Sequence, residues 1–214
     1  MDLCLVGSEM CIRDRAFMQR DKDFDGTNVV VGLGDDGDIG PHDDYRGRLI
    51  SLAGTSIGDH GDHVAGTIFG AGNIDPDGAG SATGATMIYY DYPSNLSNID
   101  SHYNLYGIRV TNSSYSNGCN AGYTSYAQQM DKDIIDNVSL MHVFSAGNSN
   151  GSNCNYGAGS QWGNVTGGHK QGKNVVATAN LTSLDVIAGS SSRGPAADGR
   201  IKPDLAAVGT NVYS

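Results

Sequence analysis

Basic residues are scarce in this chain. Thirteen Lys and Arg face 23 Asp and Glu, giving a formal net charge of −10. Binding a phosphate backbone needs clustered cations, so this balance excludes a nucleic-acid partner. Long apolar runs are also missing: no stretch of about 18 apolar residues occurs, and no membrane span is read. Charged residues reach only 17 %, too few for a disordered polyelectrolyte. Internal repeats and linkers are absent, because Gly and Ser are spread along the chain rather than gathered. What is abundant is glycine, 31 of 214 residues, about twice the usual share of roughly 7 %. A hydrophobic fraction of 38 % is enough for one core, and the length suits one domain. An acidic, Gly-rich globular domain has the profile of a secreted or cell-surface enzyme.

Residues 1–15 (MDLCLVGSEMCIRDR) read unlike the rest. Their apolar stretch is too short for the core of a signal peptide, and Asp2 stands where a basic residue belongs. The string resembles translated sequencing-adapter sequence and is set aside as a non-native leader, a disordered leader being the alternative. The domain is therefore taken as residues 16–214. Two of the 4 cysteines leave with the leader. Cys119 and Cys154 remain, an even pair that favours a disulfide and an oxidising compartment. Closing that loop of about 35 residues contributes about 3–4 kcal/mol; two buried thiols are the alternative.

Apolar runs of strand length alternate with helical stretches. Residues 29–33, 86–90, 108–111, 140–145 and 174–179 read as strands, and residues 64–69 as a buried helix. In residues 123–138, Tyr126, Met130, Ile134 and Val138 recur every four positions and predict one apolar helix face. Near-continuous apolar strands alternating with helices imply an α/β domain, three layers around a mostly parallel sheet. In such sheets reactive groups sit at the carboxyl ends of strands.

Three segments carry chemistry. The strand of residues 29–33 leads into Gly34-Asp35-Asp36-Gly37, with His42 and Asp44 beyond; a carboxylate at a sheet edge can orient an imidazole, although an acidic turn explains it alone. The second is His60-Gly61-Asp62-His63-Val64-Ala65-Gly66-Thr67, where His60 at a helix start can serve as general base. His60, Asp62 and His63 also form half of a zinc signature, but that signature needs a histidine where Gly58 stands. The third is Ala146-Gly147-Asn148 after an apolar strand, an amide donor suited to an oxyanion.

In this order the segments resemble the subtilisin-like serine proteases, the subtilases. The match extends to Ser191-Ser192-Arg193-Gly194-Pro195 and to residues 198–205 (DGRIKPDL), covering roughly residues 27 to 214. The resemblance implies a serine endopeptidase acting on protein or peptide substrates by acyl transfer, with no cofactor required. It further implies Asp35 as orienter, His60 as general base and Asn148 as oxyanion donor, in the Asp-His-Ser order of that family. Ser113 and Ser114 fall where the family pairs with substrate backbone, the register between them being open. Two rival classes stay open: a pseudoprotease that binds without cleaving, and a calcium-stabilised adhesion module.

Several positions depart from the family pattern. Asp62 replaces a hydroxyl residue between the histidines, placing a charge expected to raise the imidazole pKa if the groups are close. Asp36 replaces the small hydroxyl after Asp35. The nucleophile motif G-T-S-M-A-x-P does not occur; Gly209-Thr210-Asn211 has Asn211 where serine is needed. The chain is accordingly expected to be a C-terminally truncated peptidase domain, lacking the nucleophile segment and inactive alone. For metals, residues 21–26 (DKDFDG) match half of a calcium loop, but Gly32 occupies the position of its bidentate Glu. No metal ligands are assigned. A structural Ca2+ elsewhere, near acids such as Asp75, Asp77 and Asp100, follows only from the resemblance and the carboxylate excess.

Overall fold

The computed structural model describes residues 24–54, 58–115, 118–119, 122–155, 159 and 161–214. Among these, seven strands form one sheet in the order β2-β3-β1-β4-β5-β6-β7, every pairing parallel. The strands are β1 (Val30–Asp35), β2 (Leu49–Ser51), β3 (Thr86–Asp91), β4 (Ile108–Ser113), β5 (Met141–Ser145), β6 (Val176–Leu181) and β7 (Leu205–Val208). The helices are α1 (His60–Phe69), α2 (Ser94–Ser97), α3 (Ile99–Tyr106) and α4 (Ser125–Asp136).

Side-chain alternation along β3 shows the layering. Met87 and Tyr89 join Val31, Leu33, Ala65 and Phe69 under α1. Ile88 and Tyr90 point the other way, into a cluster with Ile99 and Ile108 that Tyr103 and Tyr106 of α3 complete. A third cluster, with Met130 of α4, Phe144 of β5 and Leu96, lies beyond. The expected three-layer α/β/α arrangement is therefore present.

Chain order and spatial order diverge at β1. The chain lays β2 and β3 on one side of β1, then crosses to place β4 on the other. Such a reversal opens a crevice at the carboxyl edge of the sheet. Gly34 pairs with Ser113, and Ser113 with Phe144, so the ends of β1, β4 and β5 share that edge.

One expected helix face is misplaced. In α4 the buried residues are Ala127, Met130, Asp131 and Asp133, whereas Tyr126 is 53 % and Val138 90 % exposed. The helix ends at Asp136, so Val138 never joins the periodic face. Asp131 takes an inward position because its carboxylate accepts hydrogen bonds from Tyr123 Oη (2.8 Å), Lys173 N (3.0 Å) and Asn174 N (2.7 Å). The strands β2 and β7 and the helix α3 have no counterpart in the sequence reading.

Candidate active site

Asp35 is the last residue of β1 and is 2 % exposed. Its Oδ1 lies 2.6 Å from His60 Nδ1 and accepts the Asp36 N–H at 2.9 Å. His60 opens α1, with its side chain about half exposed. The strand end thus supplies a shielded carboxylate and the helix start an accessible imidazole, although 25 residues separate them in sequence. A carboxylate bound at Nδ1 fixes the proton there and leaves Nε2 as the basic nitrogen.

The other residues of the His60 segment have separate partners. His63 Nε2 donates to the Val212 carbonyl at 3.0 Å, and Ser214 Oγ donates to the His63 carbonyl at 3.1 Å. Asp62 is exposed; burial, then the charges of Asp59, Asp36 and Asp38, push its carboxyl up, while His42 opposes them. The charges that act on Asp62 thus come from these acids and from His42. Asp36 contributes a second carboxylate, whose Oδ1 accepts the Gly61 N–H at 2.9 Å.

Asn148 stands exposed just beyond β5. Its turn is tied on both sides: Thr166 N donates to the Ala146 carbonyl (3.1 Å), Ser192 N to the Gly147 carbonyl (2.8 Å), and Ser149 N to Ser192 Oγ (3.0 Å). Gly147 adopts φ +113°, and a side chain there would strike Thr166 Oγ1 and Ser192 Oγ. Ser191 and Ser192 are buried, serving as loop ties.

Ser113 and Ser114 separate. Ser113 is fully buried and its Oγ accepts from Asn95 Nδ2 at 2.8 Å, so its hydroxyl is held inside the fold. Ser114 is half-buried, its Oγ accepting from Asn112 Nδ2 at 3.1 Å. Nearby, Tyr115 stacks on Tyr92 at 5.0 Å and donates to Asn95 Oδ1, while Tyr126 lies against the His169 ring at 4.7 Å. Burial pushes the Tyr115 phenol up to about 12. Asn95, 1 % exposed, escaped the sequence reading because nothing distinguishes it within an Asn- and Ser-rich stretch. Its only trace is Gly34, where any side chain would overlap the Asn95 amide.

Cys119 and Cys154 form a disulfide with Cα atoms 5.1 Å apart, stapling the segment after β4 to the loop after β5. Of the half calcium loop, residues 21–23 lie outside the described residues, as does the leader of residues 1–15. Asp25 Oδ1 accepts Thr27 N at 2.8 Å, an acidic turn. Asp75 accepts from Asp77 N and Tyr213 Oη. Among the described residues, one group has the spacing of a metal set, with one atom each of Asp35, Asp36 and His60 within 4.8 Å of one another. The hydrogen bonds just given account for that closeness without an ion.

The sequence profile described as the subtilase family matches residues 26–214. The chain belongs to the subtilase family. Solved structures that share its fold include three proteases. Against the prenylagaramide maturation protease PagA this subtilase superposes with a TM-score of 0.67 at 16 % identity, over 93 % of its own length and 68 % of that chain. For MycP1 with its N-terminal propeptide removed, the values are 0.64, 18 %, 97 % and 71 %. For the patellamide maturation protease PatA they are 0.58, 18 %, 78 % and 61 %. The subtilase chain therefore spans about two thirds of the length of the proteases it resembles. Among its described residues, no helix is long and apolar enough to cross a membrane.

Proposed function

We propose that this subtilase supplies the base, the orienter and the oxyanion donor of a serine endopeptidase that cleaves peptide bonds by acyl transfer. The observation that carries the reading is the buried Asp35 carboxylate held 2.6 Å from His60 Nδ1. Asp35 keeps the Nδ1 proton in place, and His60 Nε2 takes the proton of a serine hydroxyl as its oxygen attacks the scissile carbonyl carbon. The Asn148 amide, at the same sheet edge, donates to the oxyanion that forms. His60 then returns the proton to the leaving amine, and water repeats the sequence to free the acid. Ser113 at the end of β4 and Ser114 directly after it are assigned to the segment whose backbone pairs with substrate.

Among the described residues no serine donates to His60, and the G-T-S-M-A motif is absent from the sequence. The serine is accordingly assigned to a longer polypeptide of which residues 16–214 form part of the peptidase domain, residues 1–15 being non-native. Without the serine only the residual catalysis of a damaged triad is expected, about 10³–10⁴-fold over water, and the 214-residue chain is read as inactive. The disulfide supports a secreted or cell-surface location. The carboxylate excess supports a structural Ca2+, for which no residues are assigned.

A fluorophosphonate probe tests this on the full-length gene product. Labelling of one serine is expected, and His60→Ala should abolish it. A folded full-length protein that takes no label overturns the reading and leaves a binding-only relative of the proteases.

A further inference from the structure

Taking His60 as the general base, we propose that Asp36 is a positioning residue that clamps the first turn of α1 to the end of β1 and thereby holds the imidazole on Asp35. Three hydrogen bonds converge on it. Its N–H donates to Asp35 Oδ1 at 2.9 Å, its Oδ1 accepts the Gly61 N–H at 2.9 Å, and its carbonyl accepts the Tyr89 hydroxyl at 2.5 Å. One residue therefore touches the orienting carboxylate on one side and the residue after His60 on the other.

The helix start needs such a partner. The leading N–H groups of a helix have no acceptor within it, and Asp59, which precedes α1, makes no side-chain cap. Asp36 supplies the acceptor for Gly61, with a negative charge that suits the positive helix end. The surroundings are shaped to admit it. A side chain at position 61 would collide with the Tyr89 hydroxyl and the Asp36 carbonyl, and one at position 58 would meet the Asp36 carboxylate at 2.6–2.8 Å. Gly37, at φ +73°, turns the chain away directly after Asp36. Burial, then the charges of Asp35 and Asp36, raise the Tyr89 pKa and keep the phenol a donor. A serine or threonine at position 36 carries its oxygen one bond closer to the backbone. That oxygen falls short of Gly61 unless α1 moves, so the clamp belongs to the aspartate.

The test uses the full-length protein, chelator-treated and isotope-labelled, with two readouts: hydrogen exchange at the Gly61 amide and the His60 Nδ1–H resonance. In Asp36→Ala, Gly61 protection should fall between about tenfold and a hundredfold, and the Nδ1–H signal should vanish into exchange. Asp36→Asn keeps an oxygen acceptor and should retain both. Amides of β6, remote from Asp36, should keep their protection in each variant. A persistent Nδ1–H signal in Asp36→Ala overturns the proposal, as does an equal loss of protection throughout the sheet. Should Asp36→Ala fail to fold, Tyr89→Phe removes only the hydroxyl contact, and an unchanged Gly61 amide there overturns the proposal as well. Neither readout involves acyl transfer, so a failed fluorophosphonate experiment and a failed clamp are told apart.

Discussion

Replacing Asp131 by leucine should destabilise this subtilase far more than replacing Val138 by aspartate, although apolar periodicity alone argues the reverse. Asp131 is 6 % exposed on α4 and accepts three hydrogen bonds, from Tyr123 Oη, Lys173 N and Asn174 N. Each hydrogen bond to a charged acceptor contributes about 1.5–3 kcal/mol. Lys173 and Asn174 are exposed residues, so water recovers part of two of these bonds, and a net loss of about 3 kcal/mol is expected for Asp131→Leu. Val138 has almost no contact to lose, and Val138→Asp should stay within about 0.5 kcal/mol. Urea unfolding of the full-length protein measures both. With a slope of roughly 2 kcal/mol per molar, the first variant shifts the midpoint by about 1.5 M and the second hardly at all. A larger shift for Val138→Asp than for Asp131→Leu refutes the assignment of the inner face of α4.

Asn148→Ala should lower the fluorophosphonate-reactive protein's peptide hydrolysis by about 10²–10³-fold with little change in stability; a loss below about threefold removes Asn148 from the oxyanion role. Reducing Cys119–Cys154 should cost about 2–4 kcal/mol, seen as a lower melting temperature in reductant, and a Cys119→Ala variant should no longer respond to reductant. Burial is the first cause that lowers His169 from 6.5 to about 4. The unfolded chain then takes up the proton first, so stability present above about pH 6.5 should be lost as pH falls toward 4; His169→Phe should flatten that stretch of the curve. Burial likewise lowers Lys170 from 10.5 to about 7, so its contribution rises with pH between those values. Lys170→Met should therefore stabilise the protein at pH 7 and below, with the gain shrinking toward pH 10.

The strands with branched apolar runs, such as Val29-Val30-Val31, were legible because β-branched residues in sequence admit few other uses. Asp35, His60 and Asn148 were legible for a different reason: each follows or begins a regular element, and a parallel sheet collects strand ends at one edge. The strands β2 and β7 span only 3 and 4 residues, too short for alternation to rise above chance. The α4 face was misread because an aspartate with three donors around it can occupy a core position that periodicity reserves for apolar residues. For Ser113 the structure adds a side-chain partner that the sequence does not show, its hydroxyl turning inward to Asn95. Tyr89 and Asn95 stayed hidden because a polar tip inside the protein leaves no mark on pattern or composition. Their roles come from partners distant in sequence.

The central place of β1 in the sheet bears on how the molecule is made. Val30 pairs with Thr86 on one side and with Ile108 on the other, so this strand emerges from the ribosome long before either neighbour exists. Through that interval an apolar ribbon waits without a ladder, and pairings of high sequence separation form slowly. The acids of Gly34-Asp35-Asp36-Gly37 cap that ribbon with charge, which discourages edge-to-edge association while it waits. The carboxylate that orients His60 in the finished protein would thus act first as a guard on the nascent chain. A substitution there would be felt in the yield of folded protein as well as in the hold on His60.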